Sequence, residues 1–383
     1  MRIISNDPFS SLQGIAENEE RYSRFPVIKR GKGPYLYDHD ENRFVDFELR
    51  SGSLLLGHAP ACITSTIKGW IGRGYTSGYP SASHRMASKS MLENLLVPAG
   101  YVSSGDEKFL YFDSIYAAAS AILNTFKLTG IQGTGILFHG KGMEVPGYYC
   151  SFRAVTFEEM EGASIDDACC VVVRFNRSVS PDSIVKLAGH TARRGLPLIV
   201  DASDVASFLH ICRLDALYEL CDALLFGEWI AAGLPFGAVM LKGSLMQRLA
   251  HHKTMDPGGT LPSYIDALLK SDGLPPAYKL KAVQTCVLNL LKNGGMNALL
   301  QKHSWFYNVL DHHFFELDGG MVYLKNREGL QKDYDRFRLH LLKGGFYFPH
   351  SPLTNLAVSF AHSHELLEKC ARKLNAQCGT FLP

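Results

Sequence analysis

Five short apolar runs recur along the middle of this 383-residue chain and constrain its fold more than any other feature. Each run is as long as a strand and is rich in Val, Ile, Leu and Phe without alternating polar residues, which is typical of parallel strands buried on both faces. Stretches with helical spacing separate the runs, so we predict an α/β fold whose mainly parallel sheet is covered by helices. The runs are residues 109–112, 136–138, 170–173, 198–200 and 223–226.

The two ends of the chain have a different pattern. Residues 35–37 and 43–47 alternate around a turn, which predicts a hairpin, and residues 274–317 look helical throughout. We therefore predict a small-domain hairpin within residues 1–50, a large α/β domain at 51–273, and a helical connection with a small α/β domain at 274–383. The sequence has no internal repeat or long Pro/Ser linker, so we expect the two lobes to share a substantial interface.

Composition excludes several classes of protein. Hydrophobic residues make up 46% and charged residues 20%, as in soluble globular proteins, and the net charge of +2 is too small to hold a nucleic acid. The nine cysteines lack the spacing of a zinc site, so we expect reduced thiols and no metal. With no apolar run of ~18 residues and no signal-like N-terminus, we expect a cytoplasmic protein without a membrane partner.

Polar residues follow the apolar runs. Ligands bind beyond the carboxyl ends of the strands in an open parallel sheet, so these residues are candidates for a site. Polar loop residues also follow strands for purely structural reasons, and the pattern alone does not establish a function. The candidates are Asp113, Ser114, His139, Arg174, Asp201, Asp204 and Glu228.

Several stretches occur in the same order as in a known family over most of the chain: residues 34–38, 43–47, 54–59, 73–80, 227–238 and 358–363. They resemble class III aminotransferases that use vitamin B6, and most closely glutamate-1-semialdehyde aminomutase. The resemblance implies the fold type I architecture of the aspartate-aminotransferase-like enzymes, with pyridoxal phosphate (PLP) as the family's cofactor.

The resemblance places two carboxylates in the family's active site. Asp201 matches the aspartate that pairs with the pyridine nitrogen of the cofactor, although a capping or turn aspartate is the alternative. Glu228 matches the lysine that forms the Schiff base, and a carboxylate cannot condense with an aldehyde. Lys242 and Lys141 follow other strands and are not obvious substitutes. Ordinary transamination is therefore not expected.

The phosphate position also departs from the family's Ser-Gly-Thr turn. Ser114 matches the serine, but Ile115 and Tyr116 are bulkier than the glycine and threonine that follow it. Thr260 resembles the residue that contacts phosphate from a partner subunit, or is part of a simple turn. The family's stacking aromatic has no clear counterpart after residue 138. These departures lead us to expect no cofactor, with PLP or pyridoxamine phosphate (PMP) bound only non-covalently.

Three functional hypotheses remain open at the level of sequence. The first is a PLP-independent enzyme acting on a small amino or oxo acid, the second a catalytically silent binding or regulatory subunit, and the third a lysine-free enzyme that uses PMP or PLP. The resemblance implies a homodimer, or a heterodimer with an active paralogue. Candidate catalytic residues are Glu228, Asp201, His139 and Lys141; candidate cofactor residues are Ser114, Asp201 and Thr260; and candidate substrate residues are Ser51, Tyr116, Asp204 and Thr354.

Overall fold

A mixed seven-stranded sheet forms the centre of the molecule. The computed structural model describes residues 25–74, 82–128, 133–140, 145–160, 162–174, 179–212, 217–250, 275–325 and 330–381. Within these ranges the strand order is β4-β10-β9-β8-β7-β5-β6. The strands are β4 (Lys108–Phe112), β5 (Thr134–His139), β6 (Phe152–Thr156), β7 (Ala168–Arg174), β8 (Leu198–Ala202), β9 (Ala223–Phe226) and β10 (Gly237–Leu241).

The prediction of a mainly parallel sheet is confirmed. Strands β6, β5, β7, β8 and β9 run parallel, whereas β10 is antiparallel to both β9 and β4. Both faces of the sheet are buried: Val171 and Val173 pack into one hydrophobic cluster and Val172 into another. This two-sided burial explains why the strands show no polar alternation in the sequence.

Helices cover both faces of the central sheet and connect it to the rest of the chain. In the chain order of the described residues they are α1 (Ala61–Ile71), α2 (Ala82–Ser90), α3 (Ile115–Leu128), α4 (Pro181–Arg193), α5 (Val205–Cys212), α6 (Leu217–Leu220), α7 (Gly243–Ala250), α8 (Ala277–Lys292), α9 (Gly295–Val309), α10 (Leu330–Lys343) and α11 (His364–Phe381). No helix within the described ranges is long and apolar enough to cross a bilayer.

A second sheet joins the N-terminal hairpin to the C-terminal part of the chain. Its strands are β1 (Ile28–Lys32), β2 (Tyr35–Asp38), β3 (Arg43–Asp46) and β13 (Phe346–Tyr347), and β13 pairs in parallel with β3. Strands β11 (Phe315–Asp318) and β12 (Met321–Leu324) form a separate antiparallel pair. The predicted hairpin is therefore present, and the end of the chain completes its sheet.

The segment predicted to be helical throughout is interrupted. Helices α8 and α9 are separated at Gly294 and Gly295, whose φ angles are +90° and +68°. Glycine adopts such left-handed angles without steric cost, so the helix ends there and a new one begins. Helix α9 stops at Val309, and strand β11 follows within the range predicted to be helical. Apolar spacing alone did not reveal either change.

The carboxyl ends of four parallel strands meet at one edge of the central sheet. His139 at the end of β5 pairs in register with Arg174 of β7, and Arg174 pairs with Asp201 of β8. Ala202 then lies beside Phe226 at the end of β9. The topology therefore brings the candidate residues after these strands onto one side of the sheet.

Candidate active site

Asp201 is fully buried at the end of β8 and carries the central carboxylate of the site. Its Oδ2 lies 2.7 Å from Nη1 of Arg174, and its Oδ1 accepts the backbone N–H of Ser203 at 2.8 Å. A buried carboxylate is stable only with such partners, because desolvation strongly disfavours an unpaired charge. Arg174 and the backbone of Ser203 therefore supply the partners that this buried carboxylate needs.

Arg174 also contacts a second carboxylate. Its Nη2 lies 2.8 Å from Oδ2 of Asp204, which also caps the start of α5 by accepting the backbone N–H of Ser207 at 2.7 Å. Burial alone would lower the pKa of the Arg174 guanidinium, but the Asp201 carboxylate and neighbouring groups raise it well above its ordinary value. The guanidinium is thus a permanent positive charge between two negative ones.

Tyr148 and Ser203 complete this network. Nη1 of Arg174 donates to the Tyr148 hydroxyl at 2.7 Å and lies 3.0 Å from Oγ of Ser203. The two hydroxyl oxygens are 2.8 Å apart. Burial raises the pKa of Tyr148, with the Asp201 charge adding to the effect, so the hydroxyl stays protonated. The strand ends therefore hold an ordered, charge-paired cluster.

Glu228 begins a short turn of 3₁₀ helix directly after Gly227 and β9. Its carboxylate is paired with Arg50, with Nε and Nη2 of the guanidinium 2.7 and 3.2 Å from the two oxygens. The Glu228 side chain is 25% exposed and that of Arg50 52%. Gly227 is needed here because a Cβ at this position would overlap the backbone oxygen of Ser203. Glu228 is consequently fixed beside the end of β8.

Arg50 projects from an unusual left-handed turn. Leu49, Arg50 and Ser51 have φ angles of +46°, +54° and +54°, a region that costs L-residues roughly 1–2 kcal/mol each. The Glu48 carboxylate offsets part of this strain by accepting the backbone N–H groups of Arg50 at 2.9 Å and Ser51 at 2.8 Å. Ser51, a predicted substrate residue, is therefore part of the turn that presents Arg50 to Glu228.

Ser114 stands at the start of α3, after β4. Its Oγ accepts the backbone N–H of Ala117 at 3.1 Å, which makes it the N-terminal cap of the helix. Tyr116 is 59% exposed, and its ring packs edge-on against Tyr148 with centroids 5.7 Å apart. The predicted phosphate end of the site is therefore a capped helix start with an aromatic ring at its surface.

The other predicted residues are less closely connected to this network. His139 is buried, and its Nδ1 lies 3.0 Å from the Gly140 carbonyl. Thr354 lies in a turn and donates its backbone N–H to Ser351 at 3.2 Å. Lys141 and Thr260 fall outside the described residues, so their assignments stay predictions.

Three basic residues were not given a role by the sequence analysis. Arg50 and Arg174 pair with the carboxylates described above, and Lys279 of α8 places Nζ 2.8 Å from Oδ1 of Asp113, next to Ser114. Of the three, only Arg174 could be found from the sequence, because it directly follows an apolar run. Lys242, by contrast, donates to the carbonyl of Tyr218. Among the described residues no group of three or more His, Cys, Asp or Glu is placed to hold a metal ion.

The sequence is similar to curated aminomutases over most of its length, although no family model matches it. It is 26% identical to glutamate-1-semialdehyde 2,1-aminomutase of a Sulfurihydrogenibium species, covering 90% of this chain and 89% of that protein. It is 24% identical to glutamate-1-semialdehyde 2,1-aminomutase 1 of Listeria innocua, covering 93% and 83%. The fold agrees: a glutamate-1-semialdehyde aminomutase from Pseudomonas aeruginosa superposes with a TM-score of 0.71 at 16% identity, over 94% of this chain and 90% of that one. The chain is therefore similar in sequence to these aminomutases and shares the fold of the class III aminotransferases.

The expectation that no cofactor is present is wrong for a relative of these aminotransferases. A similar solved structure is a transaminase with PLP bound. It superposes with a TM-score of 0.69 at 17% identity, over 93% of this chain and 91% of that one. Another is a lysine-to-alanine variant of the Pseudomonas aeruginosa aminomutase in complex with PMP. It superposes with a TM-score of 0.70 at 15% identity, over 94% of this chain and 90% of that one. A B6 cofactor is therefore expected here, and the departures at Ile115, Tyr116 and Glu228 do not override that expectation.

The residues at the strand ends fit a cofactor held without a covalent bond. The buried Asp201–Arg174 cluster can contact an aromatic ring nitrogen, and the positively polarised start of α3 at Ser114 favours an anion such as a phosphate. Glu228 has no amine, and its carboxylate is instead paired with Arg50. The donor set thus suits cofactor binding but offers no covalent attachment at residue 228.

Proposed function

We propose that the protein binds a B6 cofactor non-covalently at the carboxyl ends of β8 and β9, and that PMP is the preferred form. The observation that carries this proposal is the Glu228 carboxylate at the strand-end turn where the family resemblance predicts a lysine. A carboxylate attracts the protonated amine of PMP, whereas the aldehyde of PLP offers it no charge. The PMP-bound lysine-to-alanine variant of the aminomutase supports such a binding mode.

Glu228 has the capacity to bind an amine while it remains paired with Arg50. An ionised carboxylate has about four sites for hydrogen bonds, and Arg50 occupies two of them. The remaining lone pairs of this partly exposed group can accept an ammonium. Glu228 would therefore hold the amine, and Arg50 would keep the carboxylate oriented.

The other parts of the cofactor would meet residues that are already ordered. Ser114 and the first turn of α3 would receive the phosphate, and the positive charge of Lys279 lies nearby through its pair with Asp113. The cluster of Asp201 and Arg174 would face the ring nitrogen. When bound, the cofactor supplies an electron-accepting ring for reactions of amino and oxo acids.

The substrate we propose is a small amino or oxo acid, by analogy with the similar aminomutases and transaminases. In the family a lysine moves the proton between substrate and cofactor, and Glu228 is the ionisable group proposed at that position. We therefore expect a divergent reaction or a slow one, and not ordinary transamination with a covalently anchored cofactor.

Titration calorimetry with PMP and PLP tests the proposed function. The wild-type protein should bind one PMP per chain about tenfold more tightly than PLP, because a charge-assisted hydrogen bond contributes about 1.5–3 kcal/mol and 1.4 kcal/mol corresponds to tenfold in affinity. Glu228→Gln should abolish this preference. Glu365→Gln, on the exposed start of α11, is the matched control and should keep it. Absence of saturable binding by either cofactor form would refute the proposal.

A silent binding or regulatory subunit is the second candidate, and one observation favours it. The two carboxylates predicted to be catalytic, Asp201 and Glu228, are each engaged in an ion pair with an arginine, as in a site that binds a ligand and holds it. This role predicts cofactor binding without turnover. Incubating the PMP complex with a panel of small oxo acids and following the cofactor spectrum separates the two candidates, because only an enzyme changes the absorbance with time.

A further inference from the structure

Arg174 is the more accessible member of its ion pair with Asp201. Its side chain is 13% exposed, whereas that of Asp201 is fully buried. Both oxygens of Asp201 already have partners, Nη1 of Arg174 and the backbone N–H of Ser203. A ligand that approaches this pair therefore reaches the partly exposed guanidinium before the fully buried carboxylate.

The Arg174 guanidinium has hydrogen-bond donors to spare. It carries five N–H groups, and the two on Nη1 are shared among Asp201, Tyr148 and Ser203, while Nη2 reaches Asp204. Its Nε is buried and has no hydrogen-bond partner among the described residues. Among the described residues the Nε–H and one N–H of Nη2 thus have no partner, so the guanidinium keeps the capacity to donate further hydrogen bonds.

The chemistry of arginine decides what kind of ligand atom suits this position. A guanidinium cannot give up its proton in a protein and has no acceptor atom, so it contacts only groups that accept hydrogen bonds. A protonated pyridine nitrogen is itself a cation and a donor, and it would be repelled. An unprotonated pyridine nitrogen is an acceptor and fits the guanidinium.

We propose that Arg174, and not Asp201, is the group that this site presents to the ring nitrogen of a B6 cofactor, and that the bound ring nitrogen is unprotonated. This inference rests on the proposed cofactor binding and goes beyond it by assigning a protonation state. Asp201 then acts as a positioning residue, because it holds Arg174 in place with Asp204.

The assignment has a chemical consequence for the reactions the site favours. A protonated pyridine ring accepts electron density from a carbanion much better than a neutral one does. Reactions that build up full carbanion character are therefore disfavoured when Arg174 faces the ring. This agrees with the absence of an amine at residue 228, since both features reduce ordinary transamination.

The protonation state is measured directly with PMP labelled with ¹⁵N at the ring nitrogen. The wild-type complex should show the chemical shift of an unprotonated pyridine that does not change between pH 6 and pH 9. Arg174→Met frees Asp201 to accept a proton-bearing nitrogen, and its complex should show the protonated shift. Arg194→Met removes an exposed arginine paired with Asp166 and is the matched control, which should keep the wild-type shift.

The outcomes separate this inference from the proposed function. A protonated nitrogen in the wild-type complex overturns the role of Arg174 while leaving cofactor binding intact. Failure of the wild-type protein to bind PMP overturns both.

A second measurement needs no variant and therefore holds even if Arg174→Met does not fold. Wild-type affinity for N1-methylated PMP, which carries a fixed charge and no acceptor, should be at least tenfold weaker than for PMP. The 1-deaza analogue, which lacks only the acceptor nitrogen, should also bind more weakly and serves as the control for the added methyl group. Equal affinity for all three compounds would overturn the inference.

Discussion

At the scale of single residues, the sequence identified carboxylates that lie at strand ends but not the side chains they pair with. Asp201 and Glu228 were identifiable because each follows an apolar run that proved to be a strand. Arg50 pairs with Glu228 across 178 residues of sequence, and no local pattern links the two. Arg174 was a strand-end candidate, but its contact with Asp201 depends on the register of β7 and β8. Partners of this kind become visible only once the strands are paired.

Gly227 should not tolerate a larger side chain. A methyl group there would overlap the backbone oxygen of Ser203, which cannot move without disturbing the end of β8. We expect Gly227→Ala to lower the free energy of unfolding by about 1–3 kcal/mol, measured by urea denaturation. Gly69, within α1, has open space around it and is the matched control; Gly69→Ala should raise stability by about 0.5–1 kcal/mol. Equal effects of the two changes would contradict this explanation.

Replacing Ser51 with glycine should stabilise the folded protein. Its φ of +54° is strained for a side chain with a Cβ, and glycine relieves that strain at the cost of a weak 3.4 Å contact between the Ser51 hydroxyl and Glu48. Thermal unfolding of Ser51→Gly should therefore show a gain of up to about 1 kcal/mol. Ser53 lies nearby and has no left-handed φ angle, so Ser53→Gly should lose stability. An equal gain in stability for Ser53→Gly would contradict the explanation that Ser51 is strained.

At the scale of secondary-structure elements, the buried strands were predicted well and the elements around them less so. Strands β5, β7, β8 and β9 gave continuous apolar runs because both of their faces are covered. The break between α8 and α9 was missed because it depends on the left-handed angles of two glycines within an otherwise helical pattern. Strand β13 was also missed, since it has only two residues and exists through its pairing with β3.

The packing of α9 against the segment before α11 should make the protein sensitive to acid. His303 of α9 and His362 are fully buried, and burial lowers the pKa of His303 to about 4 and that of His362 to about 3. The nearby positive charge of Lys302 lowers both further, and His58, itself paired with Asp46, also faces His362. Both imidazoles therefore stay neutral in the folded state.

The sign of the pH dependence follows from these lowered values. Below about pH 6.5 the unfolded chain binds protons at both histidines and the folded protein does not, so stability falls as the pH falls towards 4. Between pH 7 and pH 5 we expect a loss of about 2 kcal/mol for each histidine. Urea denaturation of His303→Leu should show a smaller loss over this interval than wild type, with the exposed His39→Leu as the matched control. An unchanged pH slope in His303→Leu would contradict the prediction.

At the scale of the whole molecule, the fold was predictable and the functional state was not. The order of strands and helices follows local apolar patterns, and the resemblance to class III aminotransferases was confirmed by sequence and structure together. The expectation of no cofactor was wrong because it took the residues at Ile115, Tyr116 and Glu228 together as the loss of the whole cofactor site, whereas similar proteins bind PLP or PMP. In the lysine-to-alanine variant of the Pseudomonas aeruginosa aminomutase, PMP is bound although a lysine has been replaced.

The chain should form a homodimer. This prediction comes from the resemblance to the class III enzymes, whose partner subunit contacts the phosphate through the loop matched by Thr260. Size-exclusion chromatography with light scattering should give twice the chain mass of 42.4 kDa. A monomer that still binds PMP would show that the site is complete within one chain.

The most direct test of a cofactor held without a covalent bond is peptide mapping by mass spectrometry after treatment with PLP and borohydride. Before dialysis, the absorbance of PLP should show that the wild-type protein binds the cofactor. After borohydride treatment, no single peptide of the wild-type protein should carry a stoichiometric pyridoxyl group. Glu228→Lys should gain one such group, located at residue 228, because the carboxylate is then replaced by an amine in the same position. A stoichiometric label in the wild-type protein, for example on Lys279, would contradict the account.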